Sequence, residues 1–456
     1  MSNRYTKLAL SALLPAMLLA GCSDWLTAPK AKSDPNNPTT AGRDQLLVGV
    51  ETAQTTLQTG DLARTLSLWV QSMAGTQRQY SLLDNYQFDE DAYSADWSLV
   101  YTGGGLIDIR TIESQSLEAG DSVYAGVGYV IEALTMGTAA DAWGDIPYSQ
   151  AVSDSINTPE LDPQQQVYAM VQAKLDTAIA FLKCTASTCT GPREVDLWYG
   201  LDDDTDDAAQ WSELAHTLKA RYYMHTAEVD PGAYALALAQ ADSGISSPAN
   251  DLKSYQSNDP NEWNLWYQFM VIQRSGYTGA GQYLVNLLKN DDDPRLQRYF
   301  APNSDGVITG APPGGGAVSA SEISTTRLAP NFRQPIVTYA ENQLILAEAA
   351  LHEGEPAIAL AAYNAERTSQ GVPTAGSVTL QDVMTEKYIA LFQQIEPWND
   401  YKRTCIPALD PAGNASAVPG RLLYPLSAER NANPNIPAPS DQPLRNWNDP
   451  NPCPAP

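Results

Sequence analysis

The strongest constraint on how this chain can fold is a helical spacing of apolar residues that returns along its length. Tyr124, Val127, Ile131 and Leu134 fall at offsets of three and four; so do Val167, Val171, Leu175, Ala178 and Leu182, and again Trp211, Leu214, Leu218 and Tyr222. Residues so spaced share one face of a helix, and each stretch predicts an amphipathic helix turned towards a core. Further on, a helix is expected to open at Pro335 and run through Leu344, Ala347 and Leu351. His352-Glu353-Gly354-Glu355-Pro356 breaks it, and a second helix is expected from Ala357 to Thr368. These two are alanine-rich where they would touch, which lets helices approach closely, and a Gly/Pro turn joins them in a tetratricopeptide-like pair. A strict repeat of about 34 residues is not visible along the chain. The expected fold is therefore mainly α, an α/α superhelical body of irregular tetratricopeptide-like helix pairs.

Residues 243–333 depart from this pattern. They hold Pro248, Pro260, Pro294, the glycine- and proline-rich run Gly310 to Gly316, and few periodic stretches. They read as a long loop-rich insertion within a single helical domain spanning 43–456, and insertions of that size are often functional. From Thr404 to Pro456 the chain is again rich in Pro and Asn and is expected to wrap the helical body.

The N-terminus reads as an address. Arg4 and Lys7 precede an apolar stretch, Leu8 to Leu19, too short to span a bilayer, and it ends in Leu19-Ala20-Gly21-Cys22. Residues 1–21 are thus expected to be a lipoprotein signal peptide, with Cys22 carrying acyl chains after cleavage; the competing reading is a plain secretory peptide followed by a chance cysteine. Acyl chains contribute about 0.8 kcal/mol per buried methylene, so several of them hold a protein at a membrane stably. Residues 22–42, with Asp34-Pro35-Asn36-Asn37-Pro38-Thr39, read as the lipidated cysteine and a polar spacer. The four other cysteines, Cys184, Cys189, Cys405 and Cys453, suit an oxidising compartment. Three pairings are open. The short Cys184–Cys189 spacing favours a loop staple, leaving Cys405 to hold the tail through Cys453; a zinc site fits the spacing poorly.

A formal net charge of −26 argues against nucleic acid and against adsorption to anionic lipid. Asp202, Asp204 and Asp206 cluster carboxylates of the kind Ca²⁺ favours, but without the spacing or glycine of an EF-hand. They read as a solvated acidic loop before the Trp211 helix, as does Asp291-Asp292-Asp293, and no cofactor is expected. No nucleophile elbow, His-Glu-x-x-His or phosphate-binding glycine loop occurs. His216 and His225 lie nine residues apart, on opposite helix faces, and form no metal pair.

Several segments resemble the SusD/RagB family of outer-membrane nutrient-binding lipoproteins. Asp34 to Thr39 is similar to the family's opening. Ala140-Asp141-Ala142-Trp143-Gly144-Asp145-Ile146-Pro147-Tyr148-Ser149-Gln150-Ala151 resembles its most specific turn. Trp211 to Ala227 with Asp230-Pro231, Tyr339 to Ala349, Glu386 to Leu391, Trp398 to Thr404, Tyr424-Pro425 and Asn431 to Pro437 resemble later segments. The resemblance implies a helical body with ligand-binding loops and no catalysis. It also implies an oligosaccharide or peptide cargo and a SusC-type TonB-dependent transporter as partner. Two other classes compete: a helical-repeat envelope scaffold, and a glycan-active enzyme using a carboxylate pair.

Within the implied binding role, sugar recognition needs flat aromatic faces beside amides and charged groups. Arg78, Gln79, Tyr80 and Trp97 near the N-terminal helices, and Trp263, Trp266 and Tyr267 in the insertion, supply that chemistry. A core role competes for each aromatic taken singly. The Trp143–Tyr148 turn reads as structural, with Gly144 at a helix end and Pro147 fixing an extended segment.

Overall fold

The computed structural model of the protein describes residues 41–200, 207–316, 319–450 and Cys453. The leader, Cys22, nearly all of the spacer, and Asp202, Asp204 and Asp206 lie outside the described residues. In chain order the helices are α1 (Arg43–Thr59), α2 (Asp61–Trp69), α3 (Arg78–Asp84), α4 (Ser94–Tyr101), α5 (Leu106–Glu118), α6 (Ser122–Trp143), α7 (Gln164–Phe181), α8 (Asp207–Thr226), α9 (Ala233–Ala241), α10 (Leu265–Tyr267), α11 (Gln282–Asn290), α12 (Arg295–Tyr299), α13 (Tyr339–His352), α14 (Pro356–Ser369), α15 (Leu380–Ala390) and α16 (Glu396–Thr404). Four short strands, β1 (Met73–Gly75), β2 (Leu252–Lys253), β3 (Thr278–Ala280) and β4 (Pro335–Val337), make two antiparallel pairs, β1 with β3 and β2 with β4. The fold is mainly α. No helix among the described residues is long and apolar enough to cross a membrane.

The helices pack as a side-by-side array: α6 lies between α5 and α7, α7 against α8, α8 against α9, α9 against α13, and α13 against α14 and α15. Helix α6 is buried on every face, as its run of Ala, Gly, Val and Leu requires. Gly137 is fixed by that packing, because a Cβ there would come 2.1 Å from the Tyr222 ring of α8. Gly144 ends α6 with φ 82°, a conformation side chains other than glycine's resist.

Two expectations need correction. Pro335 does not open a helix; it sits in β4, and α13 begins after Thr338, whose hydroxyl accepts the Glu341 amide at 3.1 Å. A hydroxyl cap satisfies an orphan N–H of the first turn, so Thr338 sets the start more firmly than proline does. The 243–333 segment is mostly irregular backbone, held in place by a few short elements. It carries α11, with Leu284, Val285 and Leu288 buried, and both strand pairs tie it to the rest of the chain. Within it Asp293 is not a solvated acid: it grips the buried guanidinium of Arg295 at 2.7 Å.

The C-terminal stretch wraps the end of α6. Trp143 Nε1 donates to Leu423 O at 3.1 Å, the Leu422 amide donates to Ala142 O at 2.7 Å, and Arg421 Nη2 donates to Trp143 O at 2.7 Å. Cys184 is bonded to Cys189, and Cys405 to Cys453, the second clasping the tail to α16.

Candidate ligand-binding site

The β1–β3 pairing decides where the insertion meets the N-terminal helices. Met73, Ala74 and Gly75 pair with Ala280, Gly279 and Thr278, and Thr76 Oγ1 donates to Gly276 O at 2.6 Å. Upstream, Asn264 caps α10, its Oδ1 accepting the amides of Trp266 and Tyr267. The chain then continues as a π-helical turn, Gln268–Gln273. Such turns are rare and recur at functional sites.

That turn closes a cavity of ≈480 Å³ against α2, α3 and residues 87–93. Tyr80 and Phe269 meet at its wall with ring centroids 4.7 Å apart, and the Arg64 guanidinium lies 4.5 Å over the Phe269 ring. Tyr80 donates its hydroxyl to Asp61 Oδ1, and Arg64 Nη2 lies 3.2 Å from the same oxygen. Burial raises the Tyr80 pKa, Arg64 lowers it and Asp61 raises it further, so the phenol stays protonated. Phe88 and Tyr93 add aromatic surface. At the mouth stand Gln79, Gln87 and Gln273, all exposed, whose side-chain amides make no hydrogen bond among the described residues. Asp61 and Asp89 balance Arg64 and Arg274, so the lining is neutral in a strongly acidic chain. Aromatic walls with a few uncommitted polar groups are the usual chemistry of a small-molecule site.

Of the residues singled out from the sequence, Gln79 and Tyr80 line this cavity, and Arg78 is exposed at the start of α3. Trp97 does not reach it. It is sealed among Tyr101, Trp143 and Tyr424, with Nε1 donating to Glu429 at 3.3 Å. Trp266 is also core, 1% exposed. Trp263 and Tyr267 form an edge-to-face pair, centroids 5.3 Å apart, but stand outside the cavity. Arg64, Phe88, Phe269, Gln273 and Arg274 were not foreseen; the only sequence signal was that Phe269 continues the helical turn begun by Trp266.

A second group of polar residues lies deep in the body. Asp141, His225 and Glu396 place one ligand atom each within 4.8 Å of one another, the combination a metal would need. The geometry favours an ion network instead. His225 Nδ1 lies 2.8 Å from Asp141 and Nε2 lies 2.9 Å from Glu396, so both ring nitrogens already face carboxylates. A metal-bound histidine keeps one nitrogen for the metal. Burial alone would lower the His225 pKa, but Asp141 and Glu396 overcome it and raise it to about 9. Arg221 extends the network, 3.5 Å from Glu396 and 2.6 Å from Glu341. Beside it Glu348 is held by Lys387 at 3.1 Å and Arg403 at 2.6 Å, and both cations also bond Asp400. Opposed to burial, those two cations draw the Glu348 pKa down to about 2.

The family model described as "Starch-binding associating with outer membrane", SusD-like, matches residues 35–365. The chain belongs to the SusD-like family. Among solved structures, a SusD/RagB family protein from Bacteroides thetaiotaomicron superposes with a TM-score of 0.72 at 22% identity, over 91% of this chain and 98% of that one. A structure named as a chitin-binding protein gives 0.74 at 22% identity, over 90% and 100%. A chitin-binding SusD homolog from Flavobacterium johnsoniae gives 0.71 at 19% identity, over 89% and 97%. No curated protein sequence matches the chain. At these identities the superpositions establish the fold of the SusD-like protein. Many residues carrying its family likeness, among them Asp141, Glu341, Glu348, Lys387, Asp400 and Arg403, are members of the buried ion networks.

Proposed function

We propose that this SusD-like protein is a non-catalytic capture protein that holds an oligosaccharide in the Tyr80–Phe269 cavity. Tethered to the outer membrane through acylated Cys22, it presents that ligand to a SusC-type TonB-dependent transporter. The observation that carries this reading is the cavity: four aromatic side chains beside three uncommitted glutamine amides, with Arg64 fixed by Asp61 and Tyr80. Aromatic faces take the C–H face of a sugar, and amides exchange hydrogen bonds with its hydroxyls in either direction. The family's starch-binding description and the chitin-binding structural neighbours support a carbohydrate cargo. The lining offers no arrangement that requires chemistry. Tyr80 is held protonated as a hydrogen-bond donor, and Arg64 is already paired.

Isothermal titration against malto-, chito-, cello- and xylo-oligosaccharides, with peptides as a control class, tests capture; saturable binding to a saccharide with unchanged ligand is the expected result. Solubilised membranes from the native cell should yield a TonB-dependent transporter with the protein. Silence across the panel together with no transporter contradicts the reading, and ligand turnover would move it to an enzyme.

A further inference from the structure

The tail holds a side chain that the main cavity does not explain. Trp447 is 39% exposed, although both of its neighbours are locked into the interior. Asn446 Nδ2 donates to Asp141 O at 2.8 Å. Asn448 Nδ2 donates to His225 O at 3.0 Å and to the Tyr168 hydroxyl at 3.1 Å, while its amide reaches Gln164 Oε1 at 3.2 Å. Arg445 and Asp449 close this stretch with an ion pair at 2.6 Å. The backbone on either side of Trp447 is therefore fixed, and the indole is presented outward from a rigid mount. Such preorganisation removes much of the ordering cost of binding.

Trp447 borders a second cavity, ≈310 Å³, between α7, α8 and the start of α9. Tyr223, Gln165, Asp230 and Leu236 line it too. Neither the indole N–H, the Tyr223 hydroxyl nor the Gln165 amide makes a hydrogen bond among the described residues. Asp230 uses one oxygen, for the Gly232 amide at 3.2 Å. An exposed aromatic face with convergent unused donors and acceptors matches a ligand that is apolar on its flat faces and hydroxylated around its edge.

We propose that this cleft is a second saccharide subsite, separate from the Tyr80–Phe269 cavity and of a size for one or two sugar rings. Trp447 supplies the stacking face, while Gln165, Tyr223 and Asp230 bond the ring hydroxyls. Leu236, 48% accessible at the rim, is the one exposed large aliphatic side chain among the lining residues, and a protein partner seated on it is the alternative that the test separates.

The full mature chain labelled with 5-fluorotryptophan gives a fluorine resonance for Trp447, assigned by Trp447→Phe. It is titrated with chitohexaose, maltohexaose, cellohexaose and xylohexaose. At least one probe should shift that resonance saturably. Gln165→Ala and Tyr223→Phe should weaken the response about tenfold, while Gln79→Ala with Gln273→Ala at the main cavity leaves it unchanged. No Trp447 shift up to about 20 mM, beyond even weak millimolar affinity, overturns the proposal. So does a shift indifferent to Gln165→Ala and Tyr223→Phe, or one produced only by the transporter.

Discussion

Two regions of the molecule use similar side chains to opposite ends. In the body, Arg221, Arg403 and Lys387 meet Glu341, Glu348, Glu396 and Asp400, all nearly inaccessible, with every cation matched to at least one carboxylate. At the Tyr80–Phe269 cavity, Arg64 is paired and Arg274 lies over the Tyr277 ring, but three exposed glutamines have no side-chain hydrogen bond among the described residues. Buried charges must be satisfied internally, because water is not there to do it. Groups that bind a ligand must be left unsatisfied until it arrives. The first region thus fixes which helix lies against which, joining α6, α8, α13, α15 and α16, and the second carries no such constraint from buried charge. On the proposed reading, ligand choice belongs to the second.

The largest effect should come from breaking the body. Arg403→Met would leave Glu348 and Asp400 sharing Lys387 alone, and removing one partner of a buried pair is expected to destabilise by about 3–5 kcal/mol. Urea unfolding would read this as a lowered midpoint with unchanged slope. A loss below about 1 kcal/mol would mean that the network is solvated and the comparison fails.

His225→Gln sharpens the same point through pH. The folded-state pKa is about 9, above the ordinary histidine value near 6.5, so folding takes up a proton. The stabilisation from His225 is complete below about pH 6.5 and fades as pH climbs through about 9. A shift of that size corresponds to about 3 kcal/mol. His225→Gln should therefore lose most against the parent protein at pH 6, and the gap should close by pH 10. An equal loss at both pH values would show a neutral ring.

The smallest effect on stability and the clearest on binding is expected at the cavity mouth. Gln79→Ala with Gln273→Ala removes exposed amides, so unfolding should move by no more than about 0.5 kcal/mol. Oligosaccharide affinity should fall about tenfold, or about 1.4 kcal/mol. A variant that loses stability and binding together would erase the distinction between the two regions.

The helical body was legible because its signal is local: Val127, Ile131 and Leu134 announce α6 without knowledge of any partner. The start of α13 was not, because the proline at 335 is a louder signal than the threonine at 338 that caps the helix. For Trp97 and Trp266 the sequence leaves binding and core roles both open, because the same ring chemistry serves a core and a sugar site, and only burial separates them. The cavity itself had no local pattern. Arg64 and Phe269 are far apart in the chain, and the three residue pairs between β1 and β3 bring their segments together. Nor does sequence reveal that Glu348 and Arg403 pair, or that His225 has carboxylates on both sides, since each partner comes from a different helix.

The most direct test of capture is a crystal structure of the mature protein with the tightest-binding oligosaccharide from the titration panel. A sugar ring is expected against Tyr80 or Phe269, with hydroxyls within hydrogen-bonding distance of Gln79, Gln273 or Arg64. A ligand seated elsewhere, with the Tyr80–Phe269 cavity empty, would contradict it.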